Sequence, residues 1–188
     1  KKELIGKNFN ALKNIKLAEL YSNINCEDSA YATYYKVFEK EKVKKTLNEE
    51  QYKELLFQLH LTESSKKNYN RDRRFFLNQL KITSQKDPSD KWIAKIEYEN
   101  FKDLFSDSLN YKTAFEKIKT IQKTNFYKTN AEFKATTLLG LGNLYTDLNQ
   151  FDLSEKTLKE SLLIATKNND YLHQTYTLIN LGVNERVR

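Results

Sequence analysis

The sequence predicts an all-α protein built as a row of about nine antiparallel helices, and three observations predict it. The first is internal repetition at a spacing of 40 residues: Phe105 recurs as Tyr145, Tyr111 as Phe151, Ala114 as Ser154 and Ile118 as Leu158. At the same spacing Lys102 is followed by Gly142, and Gly142 by Gly182. Similarity at a fixed period of this length marks an array of helical units, each covering its neighbour's apolar face. The second observation is the scarcity of breakers, with four Gly and one Pro in 188 residues. A β-sandwich or barrel would need turn chemistry roughly every 8–12 residues. The third is that apolar residues recur at helical spacing along the chain, among the good helix formers Lys, Glu, Leu and Gln.

Taken in order, residues 4–23 carry Ile5, Phe9, Leu12, Ile15 and Leu20 at helical spacing, and Asn23-Ile24-Asn25 breaks the pattern. Glu27-Asp28-Ser29 opens a second helix running to about Lys45, with Tyr31, Tyr34, Tyr35 and Phe38 inward. Asn48 opens a third, with Tyr52, Leu55, Leu56 and Leu59; a fourth, from about Lys67 to Gln85, turns Tyr69, Phe76, Leu77 and Leu80 inward. Asp87-Pro88-Ser89-Asp90 ends it, because proline disfavours helix at the residue before it and Ser89 or Asp90 can cap the next helix. The fifth helix holds Trp92, Ile96, Phe101, Leu104 and Phe105, and the sixth Tyr111, Phe115, Ile118 and Ile121, with Leu109-Asn110 between them. The seventh holds Phe133, Leu138, Leu141, Leu144 and Tyr145; Leu148-Asn149-Gln150 turns into an eighth with Phe151, Leu158 and Leu162. Asn168-Asn169-Asp170 leads into a ninth.

These helices group into one repeat domain over 1–188, with units near 4–45, 48–87, 90–129 and 131–169 and a half unit at 171–185. The absence of Met, and a last helix without its pair, lead us to expect a piece of a longer protein. The apolar face of that last helix (Tyr176, Ile179, Val183) is expected to lack the helix that should come after it, which makes a homodimer through this end an expectation. No run of about 18 apolar residues is present, so no membrane span is expected. No leader is visible; the sequence names no compartment, and the cytoplasm is the default. A single cysteine, Cys26, excludes an intramolecular disulfide and any multi-cysteine metal cluster.

The stretch Leu138-Leu139-Gly140-Leu141-Gly142-Asn143-Leu144-Tyr145 resembles the first helix of a tetratricopeptide repeat. That family places a large residue, then Leu-Gly, then Tyr, here Leu138, Leu141-Gly142 and Tyr145. Its second helix carries an aromatic, a small and a large residue, here Phe151, Ser154 and Leu158. Unit 92–131 keeps Phe105, Tyr111, Ala114 and Ile118 but has Lys102 at the glycine position. The two earlier units are weaker, with Ala18 and His60 at that position and Tyr21 and Glu63 at the tyrosine position. The common repeat is about 34 residues; a period near 40 is similar to the longer variety of bacterial regulators and sensors. The resemblance implies a right-handed α-α superhelix. It also implies a concave groove lined by Ile96, Glu99, Asp103, Ser106, Thr136, Leu139, Asn143, Thr146 and Asp147, where an asparagine such as Asn143 would hold a peptide backbone.

Enzyme chemistry finds no foothold. His60 and His173 stand far apart without a Cys or acidic cluster at metal spacing, and no phosphate loop or nucleophile turn is present. No cofactor and no metal are expected. Acidic pairs such as Glu49-Glu50 and Asp103/Asp107 read as solvated helix faces. Two basic clusters, Lys40 to Lys45 and Lys66-Lys67 through Arg71, Arg73 and Arg74, sit near Tyr69, Phe75 and Phe76. With a net charge of +7 they could contact nucleic acid. The expected function is a non-catalytic scaffold or sensor module that binds a protein or peptide. A nucleic-acid-contacting repeat or a self-association module is the alternative.

Overall fold

Asparagine closes three of the helix turns of this chain. Asn25, Asn149 and Asn169 take the left-handed conformation, with φ of 57°, 58° and 55°. Each allows the next amide to reach back five residues: Cys26 N–H to the Tyr21 carbonyl, Gln150 to Tyr145 and Asp170 to Ala165, at 2.8, 2.8 and 3.0 Å. Asn tolerates this conformation better than other non-glycine residues, so the turns need no Gly. Leu109 holds the same conformation at φ 49°, forty residues before Asn149, although a leucine gains no local hydrogen bond there.

A computed structural model describes residues 10–64, 74–85, 89–106 and 109–188. Ile5, Phe9, Tyr69, Lys66, Lys67, Arg71, Arg73 and Asp107 lie outside the described residues, as does the 86–88 junction. Among the described residues there are ten helices and no strand. The chain divides into two compact units, Lys1–Asp87 and Pro88–Arg188.

The first unit holds α1 (Ala11–Asn23), α2 (Glu27–Lys44), α3 (Glu49–Ser64) and α4 (Phe75–Ser84), packed in chain order. Tyr31, Tyr34, Phe38, Leu55, Leu56, Leu59, Phe76, Leu77 and Leu80 are buried as their spacing predicts. The rings of Phe38 and Phe76 meet edge to face at 5.3 Å. The buried Glu41 carboxylate accepts hydrogen bonds from the amides of Thr46 and Leu47 and from the Thr46 hydroxyl, which holds the α2–α3 turn. His60 is buried, as a helix-packing residue.

The second unit holds α5 (Asp90–Ser106), α6 (Tyr111–Lys123), α7 (Asn125–Thr129), α8 (Ala131–Asp147), α9 (Phe151–Lys167) and α10 (Tyr171–Val187). The 40-residue period is visible in the backbone: α6 and α9 begin at 111 and 151, α8 and α10 at 131 and 171. The short α7 is the element that apolar spacing does not anticipate. Thr124 leaves the helix with ψ 146° and caps the new turn, its hydroxyl accepting from the Tyr127 amide. The Asp90 carboxylate accepts from the amides of Asn125 and Phe126, tying α7 to the start of α5. Phe101, Ala114, Ile118, Ile121, Tyr127, Leu141 and Leu144 form the core, with Tyr98, Phe105, Tyr111, Phe115, Phe133 and Tyr145 packed around it.

The pairing of α8 with α9 depends on Gly142. A Cβ added there would lie 2.6 Å from both Cγ and Cδ2 of Leu158, a side chain with no exposure. Gly182, at the matching place in α10, would meet nothing within 4 Å. Opposite outcomes are expected at the two glycines. Gly142→Ala should lose about 1–3 kcal/mol by overpacking, whereas Gly182→Ala gains up to about 1 kcal/mol of helix propensity. Chemical denaturation of the two variants measures this opposition. Leu109→Asn is expected to stabilise the chain by about 0.5–1 kcal/mol, by relieving the left-handed leucine; thermal unfolding reads it.

Candidate binding surface

The residues expected to line a groove come from α5 and α8, which are in contact, and their surroundings separate them into two groups. Ile96 and Glu99 are buried, and Glu99 pairs with the Lys102 ammonium at 2.7 Å. Asp103 is half-buried, while Ser106 is exposed with its hydroxyl donating to the Lys102 carbonyl. Thr136 is half-buried; its hydroxyl donates to the Glu132 carbonyl and its carbonyl accepts from the Tyr98 hydroxyl at 3.3 Å. Burial raises the pKa of that phenol far above its ordinary value, so Tyr98 remains a donor.

Thr146 belongs to a different site. Its hydroxyl lies 2.7 Å from that of Ser154 and donates to Asn184 Oδ1 at 3.4 Å, at the meeting of α8, α9 and α10. The rest of the open row of α8 is Leu139 and Asn143, both half-buried, and the exposed Asp147. Among the described residues the Asn143 side chain makes no hydrogen bond, so its amide is available both to donate and to accept. Near the start of this row an open cavity of about 490 Å³ is lined by Ala131, Glu132, Ala135, Ile164, Ala165, Asn168 and Asp170.

The 40-residue register carries this row onto the next helix. Glu132, Thr136, Leu139, Asn143 and Asp147 on α8 correspond to Leu172, Tyr176, Ile179, Val183 and Val187 on α10. The face of α8 that α9 covers is a different one, marked by Ala135, Gly142 and Thr146. Its counterparts on α10 are Thr175, Gly182 and Arg186, with Tyr171 and Leu178 alongside. Tyr176, Ile179 and Val183 therefore continue the open row, whereas the sequence pattern alone places them on the face toward a succeeding helix.

Sequence reasoning also misses what docks α10. Its buried residues are His173, Thr177 and Asn184, none of them aliphatic or Phe/Trp/Tyr. Asn184 Nδ2 donates to the Phe151 carbonyl at 3.1 Å. The His173 ring Nε2 lies 3.3 Å from the Ser161 hydroxyl, which donates to the Ala135 carbonyl. Arg188 adds an ion pair to Glu155 at 3.1 Å. The signal that could have found this face is the spacing of the polar residues themselves, His173, Thr177 and Asn184 being i, i+4 and i+11.

The basic clusters are only partly described. Lys42, Lys44 and Lys45 are exposed, and Lys42 is engaged by Glu39 at 2.7 Å and by the Phe38 ring at 4.5 Å. Arg74 is exposed, Phe75 partly so, and Phe76 is buried. No helix among the described residues is long and apolar enough to cross a membrane.

Asn184→Ala is expected to cost about 1–3 kcal/mol, because it removes the hydrogen bond from Asn184 Nδ2 to the Phe151 carbonyl and the buried carboxamide that joins α10 to α8 and α9. The loss concentrates in α10, so hydrogen exchange should accelerate there before it does in α8.

Known proteins add nothing to this geometry: no family model matches the chain, and no curated protein or solved structure matches it either.

Proposed function

We propose that this chain is a non-catalytic, tetratricopeptide-like repeat module that binds a peptide or an extended protein segment. Its helix pairs would wind as a right-handed α-α superhelix, and the open row of α8 would lie on the concave side. The observation that carries the reading is Asn143. It sits midway along a row otherwise made of Leu139, Asp147 and half-buried neighbours, with an amide that the described residues leave unengaged. A peptide backbone offers alternating donors and acceptors, and one carboxamide can satisfy one of each. Leu139, half-buried on the same row, supplies apolar contact for a side chain of the bound segment. The pairing of α8 with α9 through Gly142 and Ser154 keeps this row on a rigid support.

A peptide selected against the chain from a random library provides the test. Asn143→Ala should weaken that peptide by about 1–3 kcal/mol in calorimetry and leave the unfolding midpoint nearly unchanged. Reversing the charge of Lys44 and Lys45 should leave affinity nearly intact, since both are exposed residues at the end of α2. The opposite pattern, with a neutral Asn143→Ala and a lysine variant that no longer binds, overturns groove recognition. It would favour an electrostatic partner such as nucleic acid, and a steep salt dependence of oligonucleotide binding would then identify it.

A further inference from the structure

We propose that the chain pairs with a second copy of itself through α10, the two α10 helices running antiparallel about a two-fold axis at Ile179. Such an assembly does not depend on the peptide reading. Helix α10 spans Tyr171–Val187, so Ile179 is its midpoint, and an antiparallel pair centred there overlaps along its whole length. The helix is docked on its own unit by a polar face, and the apolar side chains point away. Tyr171, Leu172, Tyr176, Leu178 and Ile179 are each between 52% and 73% exposed.

The surface is self-complementary in shape. Leu172, Thr175, Ile179, Gly182 and Arg186 form a seam at i, i+3, i+7, i+10 and i+14. Centring the axis on Ile179 sets Tyr176 against Gly182 of the partner subunit. The space over Gly182 is open to beyond 4 Å, room for a ring to enter. Leu172 comes against the aliphatic stem of Arg186 of the partner subunit.

The surface is self-complementary in charge as well. The chain carries +7, yet α10 contains no lysine, and its charged residues are Glu185 and Arg186. Interface centres are depleted of charge in this way. The antiparallel order also opposes the two helix dipoles favourably. The open apolar side chains amount to about 500 Å² per copy, so a symmetric pair buries about 1,000 Å², the lower bound for a specific interface.

Light scattering and sedimentation of the full chain test the proposal. The expected result is a dimer mass that halves in Ile179→Asp, with unchanged helical circular dichroism. A second arm reads the register. With Cys26→Ser as background, Ile179→Cys should form a covalent dimer under mild oxidation, because the axis brings that position against itself. Leu163→Cys, exposed on α9, should not. A monomer up to the solubility limit overturns the proposal and leaves the face to another partner. So does a dimer that survives Ile179→Asp, or a dimer in which Ile179→Cys fails to cross-link.

Discussion

How closely α9 approaches α8 sets the geometry of the second unit. Helix axes come near one another only where small residues leave room, and here the room is made on both sides. Gly142 has no Cβ to meet Leu158, and Ser154 is buried opposite Thr146 with the two hydroxyls 2.7 Å apart. Because the hydroxyls satisfy each other, the contact can be polar without leaving a buried group unpaired. The α5–α6 pair meets the same demand with Ala114 and Ile118, both buried, while Lys102 replaces the glycine and its half-exposed side chain pairs with the buried Glu99 carboxylate. The period of 40 residues thus records a repeated packing requirement, and the helix starts at 111 and 151 and at 131 and 171 accord with it.

From that pairing the position of α10 is set through hydrogen bonds. Asn184 reaches the Phe151 carbonyl at one end, and His173 reaches Ser161 at the other, with Ser161 already bonded to α8. A polar dock of this kind specifies one register, because every donor must find its acceptor, whereas an apolar face tolerates sliding. It also frees the apolar side chains of α10 to face outward. The same helix therefore has a polar inner face and an apolar outer one.

The fold is legible in the sequence wherever apolar periodicity and turn chemistry agree. Tyr31, Tyr34, Phe38, Phe76, Leu80 and Leu144 are buried as their spacing requires, and the asparagine turns lie where the pattern breaks. Two features escape such reading. Helix α7 depends on Asp90, 35 residues upstream of Asn125, and no local pattern encodes that contact. The polar dock of α10 also escapes it, because His173, Thr177 and Asn184 carry no apolar signal, although the uncovered face of Tyr176 and Ile179 is where the pattern expects it. The candidate groove is legible only in outline. Helical spacing identifies a row, but not that Ile96 and Glu99 are buried or that Thr146 belongs to the α8–α9–α10 junction.

The row itself changes character along the array. In α8 it presents Glu132, Thr136, Asn143 and Asp147 around a single leucine; in α10 the matching positions are Leu172, Tyr176, Ile179, Val183 and Val187. On the two proposals above, the polar part on α8 would face a bound segment and the apolar part on α10 a second copy of the chain. The polar part fixes orientation, since a misplaced donor or acceptor loses its water without gaining a partner. The apolar part supplies most of the area removed from water. Where both parts are carried by helices locked through Gly142 and Asn184, their relative placement is set before anything binds. Little of the binding free energy is then lost to ordering the surface itself.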